Sequence, residues 1–324
     1  MAAMKAALDA NPPSGLLRLV DWGVIRAHGA DAGSFLQGQL TNDVLLAPGE
    51  ARLAGYCSPK GRLLASFVVW REDAGDLLLA CSADLLPATL KRLSMFVLRA
   101  KCKLSDASAE VPLWGLAGQA ALAALGDAAP RRTWQCSAAA SGQAIRLPDA
   151  AIGTARVPRF LLAATAAPDL PDLPALDASA WRWLEVMSGT ARISAATQEQ
   201  FVPQMVNLEL VGGVNFQKGC FPGQEVVARS QYRGTLKRRA AIVASSAPLH
   251  PGQEVFHDAD PGQPAGMVVL AGSHGAHHAA LVELKLAAQQ GGTLSAPGTS
   301  DLGTPGGGAL ELLPLPYPIP AGAA

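Results

Sequence analysis

The sequence predicts an α+β protein of two or three domains, on three observations. The chain has 324 residues, whereas a single domain usually takes roughly 100–200. Strand-like and helix-like segments alternate between Leu16 and Ser105. Beyond Arg239, short apolar segments are separated by Gly and Pro, which is typical of a small antiparallel barrel or sandwich.

The first 105 residues carry both helix and strand signals. Asp31 can cap a short helix that ends near 41–43. The apolar runs 63–70 and 76–81 are predicted to pair as strands. Pro87 suits the first turn of a second helix. The apolar face of that helix is predicted to use Leu90, Leu93 and Phe96, and a strand is predicted over 97–104.

The middle of the chain repeats this mixture. The alanine-rich stretch 117–125 is predicted to be a helix that closes at Gly126, a suitable C′ glycine. The proline-spaced stretch 163–178 is predicted to be a surface linker. Asp177 or Ser179 can cap the next helix, which is expected to end at Gly189.

The last part of the chain is predicted to be a β domain. Five strands are expected there, over 240–244, 254–257, 266–270, 279–286 and 310–313. The Gly-rich interval 291–308 is expected to be mobile.

The composition favours a folded protein without bulk charge. Hydrophobic residues make up 49% of the chain and charged residues 16%, which supplies ample apolar material for buried cores. The 26 basic residues balance the 26 acidic ones, so the chain is not expected to coat nucleic acid or a membrane through net charge. No apolar run approaches the roughly 20 residues of a membrane span, and the amino terminus lacks the apolar core of a secretory signal.

Cysteine and histidine usage indicates a reducing compartment. The five cysteines are an odd number and include no C-x-x-C pair, so neither a disulfide framework nor a zinc knuckle is predicted. Histidines 274, 277 and 278 have no carboxylate or thiol at ligand spacing, which favours a solvent loop. We therefore expect a cytoplasmic protein with no membrane partner and no metal site.

The segment 212–225 is the candidate for chemistry. Its four glycines and one proline impose a tight path that a plain linker does not need. A helix is predicted after Pro222, with Pro222 in its first turn, so Cys220 is expected just ahead of the positive end of a helix dipole. Lys218 adds a cation nearby. Both effects lower a thiol pKa, which makes Cys220 the candidate reactive cysteine, although a turn without chemistry is the alternative.

Two further features of this part of the chain have simple alternatives. Glu225 and Arg229 are spaced as an exposed ion pair on a helix. The basic residues that follow either form a solvated face or suit an acidic ligand tail or an RNA phosphate; they are Arg233, Lys237, Arg238 and Arg239.

The segment 218–225, Lys-Gly-Cys-Phe-Pro-Gly-Gln-Glu, resembles the K-G-C-[FY]-x-G-Q-E signature of the YgfZ family. The resemblance extends over 35–43, 58–62 and 192–239. The family comprises folate-binding proteins linked to iron–sulfur cluster assembly or maintenance and to the iron–sulfur enzymes that modify tRNA. It is similar to aminomethyltransferase, the T-protein of glycine cleavage. This similarity implies three α+β domains in a ring around a central tetrahydrofolate channel, with a small antiparallel β-barrel last.

On this view the chain divides into four regions. The first two domains are implied to be interleaved, and the third region returns to the folate-binding core before the barrel. The regions are 1–105, 106–178, 179–239 and 240–324.

One departure separates this chain from the transferases. Aminomethyltransferases carry an Asp-Asp pair in the strand after the Gly turn, whereas Ala65 and Ser66 stand at the aligned positions here. Neither side chain serves as a general base near neutral pH. A folate-dependent aminomethyltransferase is therefore the disfavoured alternative, and no ordinary catalytic turnover is expected.

The resemblance leads to one hypothesis and one further alternative. The hypothesis is a tetrahydrofolate-binding accessory protein for iron–sulfur enzymes or assembly proteins, in which Cys220 is the functional thiol and Lys218 favours its thiolate. The alternative is a module that binds tRNA or a partner protein through the stretch from Arg229 to Arg239. In the hypothesis, the remaining residues of the segment bind folate or line its approach: Asn215, Gly219, Gly223, Gln224, Glu225 and Arg229.

Overall fold

A computed structural model describes residues 12–72, 75–170, 172–232, 236–297 and 308–320. In chain order the strands are β1 (Gly15–Arg18), β2 (Trp22–His28), β3 (Ala51–Cys57), β4 (Leu63–Arg71), β5 (Leu77–Ser82), β6 (Lys103–Asp106), β7 (Leu113–Ala117), β8 (Cys136–Ala139), β9 (Gly142–Ile152), β10 (Ala155–Ala164), β11 (Arg238–Ser245), β12 (Glu254–His257), β13 (Gly266–His274), β14 (His277–Lys285), β15 (Leu294–Ala296) and β16 (Gly308–Leu313). The α-helices are α1 (Ala32–Gln37), α2 (Leu86–Met95), α3 (Gly118–Leu125), α4 (Ala178–Met187) and α5 (Gln224–Tyr232). Short 3-10 helices cover Gly126–Ala128, Ala195–Thr197, Pro203–Val206 and Leu286–Gln289.

The first sheet has the strand order β3-β4-β5-β2-β6. Strand β4 is buried on both faces from Leu63 to Trp70, which explains why its sequence is a continuous apolar run without alternation. It pairs antiparallel with β5, with Val68 opposite Ala80 and Arg71 opposite Leu77. The predicted strand pair is therefore confirmed, within one residue at each end.

The second sheet has the order β1-β7-β10-β9-β8. Its edge strand β1 comes from the start of the chain and pairs antiparallel with β7, from Gly15 opposite Ala117 to Arg18 opposite Trp114. The next strand, β2, lies in the first sheet. The first region of the chain therefore contributes one strand to the second sheet.

The last strands form a closed antiparallel barrel in the order β11-β14-β13-β12-β15-β16, which confirms the predicted β-barrel. The barrel rests on helix α4 at a point where no side chain fits. A Cβ atom on Gly272 of β13 would lie 2.1 Å from the backbone nitrogen of Trp183. This contact brings the backbones of barrel and helix together and makes α4 the support between the barrel and the sheets.

Two predictions in the first region were wrong. The predicted strand over 97–104 is a turn as far as residue 102, with strand structure beginning at Lys103. Helix α2 ends at Met95, so Phe96 is its C-cap and is 46% exposed instead of lying on the buried face. Leu98 adopts a left-handed φ of 42° and is exposed.

Helix ends agree with the sequence in part. Asp177 caps α4 by accepting a hydrogen bond from the Ser179 backbone N–H at 2.6 Å, as predicted. Asp31 precedes α1 but makes no side-chain cap bond; its carboxylate accepts from the Lys101 backbone N–H instead. Pro222 lies in the turn before α5, so its predicted place in the first helical turn was wrong.

Two predicted connecting segments are partly strand. Strand β10 extends through Ala164 into the predicted linker, and α4 begins at its other end. Strand β15 occupies part of the interval 291–308, and residues 298–307 lie outside the described part of the chain. In the described ranges, no helix combines the length and the hydropathy that crossing a bilayer requires.

Candidate functional site

Three separate motif segments meet at one place in the structure, which we call the junction: residues 35–43, 58–62 and 212–225. Gly61 and Gly223 bring two of them together, and both have a positive φ, of 72° and 78°. A Cβ on Gly223 would lie 2.4 Å from the Ser58 carbonyl oxygen and 2.7 Å from Gly61 Cα. The two backbones therefore touch, and only glycine fits at this contact.

Two buried side chains of the segment 35–43 join it to the segment 212–225 and to strand β3. The Thr41 hydroxyl donates to the Gly213 carbonyl at 2.6 Å and accepts from the Gly55 N–H at 2.7 Å. The Asn42 amide donates to the Gly212 carbonyl at 2.6 Å and to the Leu53 carbonyl at 2.7 Å. These bonds fix the start of the 212–225 segment against α1 and β3.

Lys218 is held by the end of helix α1. Its Nζ donates to the carbonyl oxygens of Gln37 and Leu40 at 2.5 and 2.7 Å, where the helix dipole is negative. Burial lowers the pKa of Lys218, and the negative charges of Asp43 and a Cys220 thiolate oppose this shift. Lys218 therefore closes the helix end and also interacts electrostatically with the neighbouring thiol.

Cys220 is the exposed member of the five cysteines. Cys57 and Cys81 are buried, and burial raises the pKa of both thiols to about 12, which keeps them protonated. Cys136 is also buried and Cys102 is half-buried. Helix α5 begins at Gln224, so Phe221, Pro222 and Gly223 separate Cys220 from the helix start.

The other residues predicted in this segment have mixed environments. The Asn215 side-chain oxygen accepts from the Gln217 backbone N–H at 2.8 Å, which shapes the loop. A Cβ on Gly219 would meet no atom within 4 Å. Glu225 and Arg229 form an exposed ion pair at 2.6 Å on helix α5, the geometry of the simple alternative.

The basic stretch after α5 is partly neutralised. Arg238 pairs with Glu283 at 2.8 Å, and Arg239 pairs with Glu209 in a buried contact. Arg233 lies outside the described residues, and Lys237 is exposed. Two of the four candidate cations for RNA phosphate are therefore already bound to carboxylates.

A second polar group lies at the centre of the molecule, in a cavity of about 30 Å³ that we call the central cavity. It lies where the two sheets meet helix α4, and its lining includes neither Cys220 nor Lys218. Its polar and aromatic lining residues are Trp22, Ser66, Phe67, Trp134, Arg159, Glu185, Thr190 and Arg192.

Arg159 is the unusual member of this group. It is 3% exposed, and its Nε donates to the Pro148 carbonyl at 3.0 Å. Its guanidinium lies 5.3 Å from the Trp181 ring centroid, and burial lowers its pKa to about 10. Its Nη1 is buried and has no hydrogen-bond partner among the described residues. Because buried charged donors are normally paired, this atom is suited to an oxygen of a ligand.

Glu185 and Arg192 form a buried bidentate ion pair beside it. The Arg192 Nε and Nη2 donate to the two Glu185 carboxylate oxygens, both at 3.1 Å. Nη2 also donates to Asp21 at 2.9 Å, and the guanidinium lies 4.8 Å from the Trp22 ring centroid. The pair gives the cavity a fixed carboxylate.

The central cavity was not predicted from the sequence. One signal was present, because Glu185 is a single carboxylate one turn after Trp181 on the apolar face of helix α4. Arg159 had no comparable signal, since it lies within the strand sequence of β10.

The structure also locates the two residues that stand where transferases carry acids. Ala65 and Ser66 are both buried in β4. The Ser66 hydroxyl accepts from the Ile193 backbone N–H at 3.0 Å and lines the central cavity. Strand β4 therefore contributes a hydroxyl and no carboxylate to this cavity.

No group of three or more His, Cys, Asp or Glu side chains that could hold a metal ion occurs in the described ranges. The predicted histidine loop is the turn between β13 and β14, where Gly275 and Ala276 are exposed. His274 at its start is half-buried and lies 5.8 Å from the Trp183 ring, which differs from the predicted solvent loop.

Two five-stranded sheets with a shared central cavity, followed by a small barrel, define an aminomethyltransferase-like protein. A solved structure of glycine cleavage system aminomethyltransferase T from Bartonella henselae matches with a TM-score of 0.73, over 96% of this chain and 88% of that one. The two sequences are 19% identical, so this match shows the fold.

Sequence relatives identify the family. The tRNA-modifying protein YgfZ of Photobacterium profundum is 34% identical over 249 residues, covering 76% of this chain and 74% of the relative. The protein of the same name from Edwardsiella ictaluri is 35% identical over 258 residues, covering 72% of each. No family model matches the chain. The chain belongs to the YgfZ family.

Proposed function

We propose that the protein binds tetrahydrofolate and supports iron–sulfur cluster assembly or maintenance and the iron–sulfur-dependent modification of tRNA. The proposed role in tRNA modification is supported by relatives that are named tRNA-modifying proteins. The observation that carries the proposal is the buried, unpartnered Arg159 nitrogen beside the fixed Glu185 carboxylate in the central cavity. The partners are iron–sulfur enzymes or assembly proteins, and the expected location is the cytoplasm.

The central cavity fits a folate by its chemistry. A pterin ring has N–H donors on its pyrimidine edge that a carboxylate such as Glu185 can accept. Arg159 can donate to a carbonyl or carboxylate oxygen of the same ligand. The indole rings of Trp22 and Trp134 offer flat apolar walls. When bound, tetrahydrofolate supplies a carrier for one-carbon units.

The central cavity is too small to hold a folate without a change in its walls. A volume of about 30 Å³ suits one water molecule, whereas small-molecule sites usually measure roughly 300–1,000 Å³. Folate binding therefore requires the side chains of the walls to move apart. We expect binding to change the fluorescence of the lining tryptophans for this reason.

The residues present support binding without aminomethyl transfer. Ala65 and Ser66 provide no proton acceptor on β4. Both Glu185 carboxylate oxygens accept hydrogen bonds from Arg192 at 3.1 Å, so this carboxylate is already engaged as an acceptor. Tetrahydrofolate-dependent release of ammonia from an aminomethyl donor is therefore expected to be absent.

In this proposal Cys220 is the functional thiol, and it acts at the junction. Its exposure allows contact with a partner protein or a soft metal centre, whereas the buried cysteines are not accessible for such contact. Lys218 positions the loop by its bonds to the end of α1 and places a positive charge near the thiol. The assignment of Asn215, Gly219, Gly223, Gln224, Glu225 and Arg229 to folate stays a prediction, since they do not line the central cavity.

The proposal is tested by complementation of cells depleted of this protein. Cys220→Ser is expected to lower the activity of iron–sulfur enzymes and the level of the tRNA modifications that depend on them. Cys102→Ser, at a half-buried thiol, is the matched control and is expected to restore both. Full restoration by Cys220→Ser at equal protein level would remove the thiol from the function.

A further inference from the structure

A second cavity lies on the opposite face of helix α4 from the central cavity. Its volume is about 420 Å³, which is in the usual range for small-molecule sites. Trp183 and Met187 of α4 line it, whereas Glu185 lines the central cavity. Residues two apart on a helix point about 200° apart, so one helix separates the two cavities. We call this second space the interdomain cavity.

The walls of the interdomain cavity come from different parts of the fold. The hairpin between β9 and β10 contributes Ile152 and Arg156, and helix α4 contributes Trp183 and Met187. The barrel contributes the ends of β11 and β14 and the segment around Leu313 of β16. These apolar side chains suit the hydrocarbon or aromatic body of a ligand.

The polar groups of the cavity suit an anion. Arg156 is exposed, and among the described residues it forms no ion pair; its guanidinium donates to the neighbouring Ala155 carbonyl at 3.3 Å. His277 Nδ1 is buried and has no hydrogen-bond partner in the described part of the chain. An unsatisfied buried polar atom is costly, and because His277 lines the cavity, a rotation of its ring toward a bound oxygen atom would satisfy it.

Glu311 sets a limit on the position of that anion. It lines the same cavity and is exposed, so its carboxylate opposes a negative group placed near it. A ligand with a single anionic group is therefore expected to turn that group toward Arg156 and His277.

We propose that the interdomain cavity is a binding site for a small amphipathic monoanion, with an apolar body against Trp183 and Met187 and an anionic head on Arg156 and His277. This site is separate from the proposed folate site and independent of it, because helix α4 lies between them.

The probe for this site is 8-anilinonaphthalene-1-sulfonate, which has an aromatic body and one sulfonate. We expect saturable one-to-one binding to the folded full chain, measured by fluorescence. Arg156→Gln is expected to weaken it by at least about tenfold, the usual effect of losing a hydrogen bond to a charged group. Arg131→Gln, at another exposed arginine, is the matched control and is expected to change nothing.

Three further measurements test the parts of the proposal separately. N-phenyl-1-naphthylamine lacks the sulfonate, so its affinity is expected to be the same in Arg156→Gln and the unmodified chain. Glu311→Gln is expected to strengthen sulfonate binding slightly, because it removes a like charge. Ser245→Trp, at a half-buried strand position in the cavity wall, is expected to block both probes.

The proposal is overturned by any of three results. One is the absence of saturable binding up to millimolar probe. Another is that Arg156→Gln and Ser245→Trp bind the sulfonate probe as tightly as the unmodified chain, when circular dichroism shows that both variants are folded. The third is competition by tetrahydrofolate, which would merge this site with the proposed folate site.

Discussion

The junction and the central cavity differ in how their residues are distributed along the chain. The junction consists of three short segments with recognisable motifs, held by glycine backbones in contact and by bonds from Thr41, Asn42 and Lys218. The central cavity is lined by residues from several strands, a helix and loops. A motif thus marks where the backbone must pass closely, whereas ligand chemistry depends on isolated side chains that only the fold brings together.

The largest expected effect on stability lies at the central cavity, because its ion pair is buried. Arg192→Met is expected to lower the free energy of unfolding by about 3–5 kcal/mol, because it leaves the buried Glu185 carboxylate without its partner. Urea unfolding followed by circular dichroism measures this change.

The matched control removes both charges. Arg192→Met combined with Glu185→Leu is expected to recover most of the stability, since replacing a whole buried ion pair is often nearly neutral. A double variant as unstable as Arg192→Met alone would contradict the assignment of the loss to an unpaired carboxylate.

The junction is expected to respond to backbone changes instead. Gly223→Ala is expected to lower the free energy of unfolding by about 2–4 kcal/mol, from the positive φ and the 2.4 Å contact with the Ser58 oxygen. Gly219→Ala, where a Cβ meets no atom within 4 Å, is expected to change it by less than about 0.5 kcal/mol. Equal effects in the two variants, measured by urea unfolding, would show that the glycine contact does not support the junction.

Thiol chemistry distinguishes the junction from the rest of the core. At pH 8, iodoacetamide is expected to label Cys220 first, and Cys57 and Cys81 more than about a hundredfold more slowly, because burial raises their pKa to about 12. Mass spectrometry of quenched samples gives the rates. Faster labelling of Cys57 or Cys81 in the folded protein contradicts this order.

The smallest stability effect is expected at Glu225. Its exposed pair with Arg229 is expected to contribute only about 0.2–0.5 kcal/mol, so Glu225→Gln should leave thermal unfolding almost unchanged. If this variant keeps its stability but loses complementation in depleted cells, Glu225 has a functional role beyond the pair. A large loss of stability contradicts the surface geometry.

Much of the fold was predictable from periodicity, and less of the site was. The apolar run of β4 and the spaced strands of the barrel predicted their elements because burial of one or both faces determines which residues they use. The 97–104 strand failed because residues 97–102 form a turn, in which Leu98 is exposed and Val97 packs against the core without strand pairing. Apolar composition alone does not distinguish such a turn from a strand. The junction was visible through its glycines. The central cavity was not visible in the sequence. The burial of Arg159 and its unpartnered Nη1 result from the folded surroundings, which the strand sequence of β10 does not show.

The central claim is that folate binds through the central cavity while the exposed thiol acts apart from it. The most direct test is calorimetric titration of tetrahydrofolate into the unmodified chain, Arg159→Met and Cys220→Ser. We expect Arg159→Met to weaken binding by at least about tenfold, and Cys220→Ser to bind within twofold of the unmodified chain. Unchanged binding by a folded Arg159→Met variant, or loss of binding in Cys220→Ser, would contradict the claim.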